Sequence, residues 1–244
     1  AGPHPRLRNV TMPGHPAQGP SHTSGMRYVA GVRQGEVTQG ASEGALDAPR
    51  DAAEATRALL LEVARRTFSR KGYAGTSLQD IVGPAGLTKG ALYHHFKSKA
   101  DLFEAVYVEL EEELTVRVRA ALAASADDAQ SQLAAALDAF FEASAEPAYL
   151  RVVLEEAPVV LRQRTRAIDR AIGLELVSAL MEQLIAAGEV PPLPVEALAG
   201  ILLAATGDVA LEMASRGESA RRDGRAVIDA LFAGLRLLAR EPAP

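Results

Sequence analysis

A dense group of side chains that can donate hydrogen bonds lies in the stretch 88–99, Thr-Lys-Gly-Ala-Leu-Tyr-His-His-Phe-Lys-Ser-Lys. If this stretch is helical, two large apolar residues share one face, and hydrogen-bond donors lie on the opposite face and its flank. The apolar pair is Leu92 and Phe96, and the other face carries Lys89, Gly90, Tyr93 and His94. Ammonium, imidazole and phenol groups donate to phosphate oxygens and base edges. The pattern therefore predicts a short helix that anchors on one side and contacts DNA with the other.

A shorter helix just before it, over 77–82, must position this stretch. Ser77 can cap that helix, Gly86 can take a positive φ in the turn, and Thr88 can cap the second helix. The second helix of such a pair enters the major groove, about 12 Å wide, and its first residues meet base edges. A third helix, from about Ala53 to Lys71, has apolar residues every four positions and completes a three-helix core.

A Gly83-Pro84 pair follows the first helix of this motif. Pro84 has no backbone N–H to donate to the carbonyl of Asp80, so it cannot continue the helix. We therefore expect the helix to end early, with an effect on the angle at which the recognition helix is presented.

About fifty residues around this motif resemble the TetR family of transcriptional regulators. The residues that carry the resemblance are Arg57, Ala64, Phe68, Gly72-Tyr73, Thr76, Ile81, Ala85-Gly86, Lys89-Gly90, Leu92-Tyr93, His95-Phe96, Lys99 and Leu102. The resemblance implies an all-helical homodimer with an N-terminal DNA-binding domain and a larger ligand-binding and dimerisation domain. It also implies a repressor that leaves a palindromic operator when a small molecule binds.

The resemblance also assigns roles to single residues of the motif. Gln79, Lys89 and Gly90 match family positions that tend to touch bases. Another set matches positions that tend to touch the DNA backbone: Ser77, Thr88, Tyr93, His94, His95 and Lys99. Thr76 is added because a hydroxyl at a helix start satisfies free amides or, when exposed, binds a phosphate.

The charge of the chain is unevenly distributed. The net charge is −5, but segment 57–99 holds eight basic and two acidic residues, or +6, whereas segment 100–244 holds 13 basic and 24 acidic residues, or −11. A basic end is attracted to phosphates and an acidic body is repelled by them. This distribution predicts that the chain approaches DNA with segment 57–99 first.

The chain divides into three parts by composition and pattern. Residues 1–50 hold eight glycines and six prolines without a helical period, which predicts a disordered tail. Residues 51–99 form the predicted DNA-binding domain, and residues 100–244 the predicted ligand-binding and dimerisation domain. Cysteine is absent and no uninterrupted apolar run reaches about 18 residues, so we expect a soluble, cytoplasmic protein.

The C-terminal part has helical patterns throughout, so the predicted fold class is all-α. We expect helices near 101–125, 130–145, 158–187, 195–215 and 223–240. The helix over 158–187 is expected from apolar residues at i+4 spacing: Ile168, Ile172, Leu176, Leu180 and Leu184. The last two have more apolar surface than one core needs, and the resemblance implies that they pair with a second copy. The alternative is that both are ordinary core helices.

The sequence gives weak signals for an effector site. The aromatic candidates are Phe103, Tyr107, Phe140, Phe141 and Tyr149, and the polar candidates are Arg151, Glu155, Glu156 and Arg162. No metal-ligand spacing, nucleophile motif or phosphate loop is present, so we expect neither an enzyme nor a cofactor. The alternative function is a helical ligand- or protein-binding module without operator binding, for which Gly83-Pro84 is the hint. Activation, or regulation without an effector, also stays open.

Overall fold

The computed structural model of the protein describes residues 48–126 and 128–240. All regular elements in these ranges are helical, as the sequence predicts. In chain order they are α1 (Ala48–Lys71), α2 (Leu78–Val82), α3 (Lys89–His95), α4 (Lys99–Ala124), α5 (Ala129–Ser144), a π-helical segment (Tyr149–Glu156), α6 (Ala157–Val160), α7 (Gln163–Asp169), a second π-helical segment (Arg170–Leu174), α8 (Glu175–Ala186), α9 (Val195–Arg216) and α10 (Glu218–Arg240).

The first three helices lie within residues 48–95, and we call the part of the chain from α1 to the start of α4 at Lys99 the head. α1 begins at Ala48, earlier than predicted, and ends at Lys71. Gly72 follows it with a φ of 70°, which glycine adopts without strain. The prediction of a tail over 1–50 lies outside the described residues, apart from the first turn of α1.

The core of the head continues into the rest of the chain. A single cluster of buried apolar side chains begins with Leu60 on α1, includes Leu92 on α3 and extends to Leu161. The rings of Phe68, Tyr73 and Phe103 pack at centroid distances of 5.1–6.0 Å, which joins α1 to α4. The head is therefore packed directly on α4 and on the π-helical segment Tyr149–Glu156.

The single helix predicted over 158–187 is wrong, because the structure divides this range into α6, α7, a π-helical segment and α8. The chain turns at Arg162, which has a φ of 53°, and the Thr165 hydroxyl donates to the Arg162 carbonyl at 2.6 Å. Leu180 and Leu184 are buried as their spacing predicts, but Leu176 is only partly buried. The i+4 spacing did not reveal the breaks, because a turn of helix retains that spacing on each side of a break.

The last three helices form a second core with α5. Phe141, Met181 and Leu184 are fully buried in it, and Ile228 and Phe232 of α10 join them. α9 and α10 pack closely at Gly224, where an added Cβ atom would lie 2.4 Å from Val209. α10 begins at Glu218, five residues before the predicted start, because Gly217 with its φ of 59° turns the chain directly after α9.

Among the described helices, α9 is long and apolar enough to cross a membrane by length and composition alone. The most apolar 18-residue stretch of this helix has a mean hydropathy of 1.6, and 17% of that stretch is buried within the chain. The residues of α9 that are buried, such as Ala199 and Leu202, belong to the core shared with α8 and α10. One side of α9 is thus part of the fold, and much of its apolar surface faces outward.

Candidate nucleic-acid interface and effector cavity

The start of α2 is fixed by a capping box. The Ser77 hydroxyl accepts from the Asp80 amide, and the Asp80 carboxylate accepts from both the amide and the hydroxyl of Ser77, at 2.8 and 2.7 Å. Lys71, at the end of α1, donates to the same carboxylate at 2.6 Å. The hydrogen bond from Lys71, followed by those from Ser77, holds the pKa of Asp80 well below its usual range. Asp80 therefore joins α1 to α2.

The Gly83-Pro84 pair ends α2 after five residues, as the sequence predicts. The turn that follows is nevertheless closed by backbone hydrogen bonds from Gly86 to Gly83, at 3.1 Å, and from Leu87 to Val82, at 2.9 Å. Gly86 has the predicted positive φ, 67°. The proline shortens α2, and the turn into α3 remains ordered by its own hydrogen bonds.

α3 is anchored on one face and exposed on the other. The Thr88 hydroxyl accepts from the Ala91 amide at 3.1 Å and caps the helix. Leu92 is fully buried, and Phe96 at the C-cap is 3% exposed with the Arg57 guanidinium 5.4 Å from its ring centroid. The residues on the outer side are exposed: Gln79 of α2 and Thr88, Lys89, Gly90, Tyr93 and His94 of α3. We call this set the exposed face of α3. The two-faced helix predicted from the sequence is thus present.

Some of the residues predicted to contact DNA make hydrogen bonds within the chain instead. Thr76 is 2% exposed and its hydroxyl donates to the Gly72 carbonyl at 2.7 Å. The Lys99 ammonium donates to the carbonyls of Tyr73 and Thr76, each at 2.8 Å, and lies 4.2 Å from the Tyr73 ring centroid. Lys99 holds the loop between α1 and α2 against the start of α4, and Thr76 closes that loop on itself. His95 is half-buried beside Phe96.

The positive charge of the head is concentrated near α3. All four lysines of the chain lie between 71 and 99. Lys71 and Lys99 are engaged as described, whereas Lys89 at the start of α3 and Lys97 just after its end are exposed. The exposed face of α3 therefore combines one cation, Lys89, with a phenol, an imidazole and an amide, and Lys97 lies just beyond the end of the helix.

A cavity of about 1110 Å³ lies in the rest of the chain, between α4, α5, the first π-helical segment, α8 and α9. Its wall is mostly apolar, with Leu114, Leu137 and Leu180 among its residues. The polar side chains that line it are Tyr107, Glu111, Thr115, Tyr149, Gln163, Thr165, Thr206 and Asp208. Its volume is slightly above that of typical ligand pockets, which measure about 300–1,000 Å³.

The structure places only part of the predicted effector set in this cavity. Tyr107, Phe140 and Tyr149 line it. Phe103 and Phe141 are fully buried elsewhere, Phe103 against Phe68 and Tyr73, and Phe141 in the second core. Arg151 and Glu155 are exposed and form an ion pair with each other at 2.8 Å. These four side chains are outside the cavity because they face either the packed cores or solvent.

Sequence reasoning missed Glu111, the most buried charged residue of the cavity wall. It is 7% exposed, and the Tyr149 hydroxyl donates to its carboxylate at 2.8 Å. Glu111 is one of four glutamates over 109–113, and such a run of charges is typical of a solvent-exposed helix face. The missed signal was its register: Glu111 shares a helical face with Tyr107 and Leu114, which are apolar positions of α4.

The first π-helical segment connects this cavity to the head. Tyr149 and Val153, at its start and middle, line the cavity. Glu156, at its end, accepts from the Tyr73 amide at 2.6 Å and contacts Arg151 at 3.3 Å. A Cβ atom at Gly72 would lie 2.4 Å from the Glu156 carboxylate, so a larger residue would displace this side chain and, at a φ of 70°, would strain the backbone. One eight-residue segment thus touches both the cavity and the loop before α2.

Two family matches cover most of the described chain. The family described as "Bacterial regulatory proteins, tetR family" matches residues 60–106, and the family described as "Tetracyclin repressor-like, C-terminal domain" matches residues 120–235. The crystal structure of a TetR-family transcriptional regulator from Pectobacterium atrosepticum is 34% identical to this chain. It aligns over 76% of this chain and 96% of that chain, with a TM-score of 0.67. The chain belongs to the TetR family.

Curated relatives match the chain over shorter stretches. The chain is 49% identical over 55 residues to the HTH-type transcriptional regulator AcrR of Shigella flexneri, a match that spans 22% of this chain and 26% of AcrR. It is 38% identical over 86 residues to the HTH-type transcriptional activator FasR of Mycolicibacterium smegmatis, spanning 35% of this chain and 39% of FasR. The chain thus aligns with well under half of each of these relatives.

The extent of the first TetR match agrees with the packing of the head. The match ends at residue 106, past the predicted domain boundary at Lys99. Leu102, Phe103 and Val106 of α4 are fully buried in the core that also contains Leu60 and Leu92. The first turns of α4 therefore belong structurally with the TetR-type head.

Proposed function

We propose that this TetR-family chain is a DNA-binding transcriptional regulator whose α3 enters the major groove of an operator. The observation that carries the proposal is the exposed face of α3, which stands on the buried Leu92 and Phe96. In this proposal Lys89 and Gly90 approach base edges because they begin the helix, with Gln79 of α2 beside them. Tyr93, His94 and Lys97 donate to phosphates on either side.

The inward-facing residues contribute indirectly in this proposal. Lys99 and Thr76 bind carbonyls of the loop before α2, and Ser77 is occupied by Asp80. Lys99 joins this loop to α4, while Thr76 and Ser77 order the loop and the start of α2. We therefore assign them a positioning role, while Thr88 caps α3 and retains a hydroxyl proton that could reach a phosphate.

The proposed assembly is a homodimer formed through α9 and α10. α10 exposes a stripe of Val227, Leu231 and Leu238, which are 59–61% exposed, and α9 exposes Ile201 at 68%. Large aliphatic side chains spaced by one helical turn on two adjacent helices suit a four-helix interface with a second copy. Such a twofold dimer places two recognition helices about 34–36 Å apart, one turn of a palindromic duplex. In this proposal α9 is covered by the partner rather than by lipid, and the protein is cytoplasmic.

We also propose that a small molecule in the cavity releases the operator, with residues 51–99 as the DNA-binding domain and residues 100–244 as the effector and dimerisation domain. In this proposal the segment Tyr149–Glu156 transmits ligand binding from the cavity to the head, because its start lines the cavity and Glu156 accepts from the Tyr73 amide. A π-helix carries one residue more per turn than an α-helix, so a ligand that regularises the segment would rotate Glu156 away from the head. Effector and operator would then oppose each other by about 1–3 kcal/mol, the usual size of such coupling.

Gel-shift and anisotropy titrations with the DNA upstream of its own gene test the proposed function. We expect a retarded complex whose affinity falls steeply with salt, since cations of the head displace phosphate counterions. A shifted band that requires a short inverted repeat would support the palindromic operator. Absence of binding to this DNA and to a library of random duplexes at low salt would overturn the proposal in favour of a binding module without operator affinity.

A further inference from the structure

We infer that Arg57 of α1 is a positioning residue for DNA recognition: its guanidinium lies over the Phe96 ring and holds the end of α3 in the orientation that meets the operator. This inference rests on the proposed function in one respect, since it states how the proposed recognition helix is held. It also assigns the charge of Arg57 to a contact within the chain rather than to a phosphate.

Phe96 is the residue at which α3 ends and the chain turns towards α4. Its backbone is extended, and its amide donates to the Leu92 carbonyl at 2.9 Å. Two residues, Lys97 and Ser98, separate it from α4. The Phe96 side chain is 3% exposed, so its ring is enclosed by neighbouring parts of the head. A shift of this ring would therefore move the end of α3.

The turn after α3 is held from both α4 and α1. On the α4 side, the Ser98 hydroxyl accepts from the Asp101 amide at 3.1 Å, and the Asp101 carboxylate accepts from the Lys97 amide at 2.8 Å. On the α1 side, the guanidinium carbon of Arg57 lies 5.4 Å from the Phe96 ring centroid. A cation within about 6 Å of a ring centroid is attracted to the ring face. Arg57 thus ties the end of α3 to α1.

The charges around Arg57 favour this internal contact over a phosphate. Arg57 lines a groove between α1 and α4 whose acidic lining residues are Asp101, Glu104, Glu109 and Glu112. Glu104 is also paired with Arg164, at 2.6 Å. Burial and the Glu113 carboxylate raise the pKa of Glu109, and the charges of Arg65 and Arg57 partly offset this increase. Such a row of carboxylates attracts a guanidinium and repels the phosphates of DNA.

The size of the expected effect follows from the contact. A cation–π contact at an exposed site changes an equilibrium by about two- to fivefold. Arg57 is exposed, so this range applies to it. Loss of the contact can shift α3 away from its binding orientation by no more than this factor. The same factor is therefore the largest loss of operator affinity that positioning by Arg57 explains.

Anisotropy titrations of Arg57→Met with the DNA upstream of the protein's own gene, at several salt concentrations, test the inference. Methionine keeps an unbranched stem and removes the charge. We expect the affinity to fall about two- to fivefold, while the slope of log affinity against log salt stays that of the wild-type protein, because no phosphate contact is lost. Arg57→Lys should recover most of the affinity, since an ammonium can also lie over the ring. A slope reduced by about one would show that Arg57 contacts a phosphate and would overturn the inference.

Arg66→Met is the matched control. It removes the same charge from an exposed position on α1, where Arg66 pairs with Glu62 at 3.4 Å. We expect this variant to lose less affinity than Arg57→Met, and hydrogen exchange at the Phe96 amide to accelerate in Arg57→Met alone. Equal losses of affinity in the two variants would make the effect one of net charge. A lower melting temperature of Arg57→Met with unchanged affinity would make its role purely structural. Either result contradicts positioning.

Failure of this inference and failure of the proposed function give different results. The hydrogen exchange is measured without DNA, and the titrations include the wild-type protein. A wild-type complex that Arg57→Met forms with equal affinity contradicts the inference and leaves operator recognition by α3 in place. If the wild-type protein binds neither this DNA nor random duplexes at low salt, the proposed function fails, whatever the exchange at Phe96 shows.

Discussion

Asp80 is the side chain on which the start of α2 depends. Its two oxygens accept three hydrogen bonds, two from Ser77 and one from Lys71 at the end of α1. The carboxylate is at the surface, and its role is to join the end of α1 to the start of α2 through these hydrogen bonds. The exposed face of α3 depends on this joint because α3 is positioned through α2.

The pKa of Asp80 predicts how the head responds to acid. Its folded pKa lies below the ordinary value of 3.8, so ionised Asp80 stabilises the folded state above about pH 4. That contribution is lost as the pH falls from about 4 towards the lowered folded pKa. In urea titrations we expect Asp80→Asn to be less stable than the wild-type protein at pH 7, and this difference to shrink at pH 3.

Glu62→Gln is the control for this titration. Glu62 is exposed and makes a single ion pair with Arg66 at 3.4 Å within α1. Exposed pairs of this kind contribute about 0.3–0.5 kcal/mol, so the variant should differ little from the wild-type protein at either pH. A stability difference for Asp80→Asn that stays constant from pH 7 to pH 3 would contradict the role assigned to its charge.

Among the elements, the π-helical segment Tyr149–Glu156 connects the two sites. It begins at the cavity wall and ends on the loop before α2, with Glu156 bound to the Tyr73 amide. Gly72 is required at the same point for two reasons, its φ of 70° and the space that Glu156 occupies. A change in the helical winding of this segment would move Glu156 and so disturb its hydrogen bond with the Tyr73 amide of the head.

Glu156→Ala tests this joint. It leaves the partly buried Tyr73 amide without its acceptor, so we expect the free energy of unfolding to fall by about 1–3 kcal/mol and hydrogen exchange at Tyr73 to accelerate. The matched control is Glu155→Ala, whose side chain pairs with the exposed Arg151. Equal behaviour of the two variants would contradict the proposed path.

At the scale of the whole molecule, charge and apolar surface are separated along the chain. The lysines lie between 71 and 99, whereas the acidic residues dominate from 100 onward. The largest exposed aliphatic side chains of α10 lie far along the sequence from the head, on the stripe that includes Leu231. A twofold dimer through this stripe would bury the apolar surface and leave both basic heads available to one duplex.

Leu231→Glu tests the dimer. Leu231 is 61% exposed, so a charge is tolerated in the isolated chain but would be buried between two copies. In sedimentation without detergent we expect the wild-type protein at twice 25.7 kDa and the variant shifted to the monomer. Val116→Glu, an equally exposed position on α4, should remain dimeric. A wild-type protein that is monomeric, or that enters solution only with detergent, would contradict the proposed use of α9 and α10.

The features that the sequence predicts well are local ones. The caps at Ser77 and Thr88 and the turn at Gly86 follow from residues within four positions of each other, and the structure contains all three. The breaks between 158 and 187 depend on how neighbouring helices pack, so the i+4 spacing of leucines did not indicate them. Glu111 was missed for the same reason, because a cavity wall forms only when four helices meet. The sequence also did not indicate that the Lys99 side chain turns inward, because its acceptors, the carbonyls of Tyr73 and Thr76, lie far from it along the chain.

Anisotropy titrations of Lys89→Ala test the claim that α3 reads the operator. The titrations use the DNA upstream of the protein's own gene and the same duplex with single base pairs changed. The claim predicts that this variant loses about 1–3 kcal/mol of affinity, roughly 5- to 150-fold, and part of its preference among the duplexes. Arg222→Ala, which removes an exposed cation from α10, should bind like the wild-type protein. If Lys89→Ala binds with unchanged affinity and unchanged preference, α3 does not read the operator.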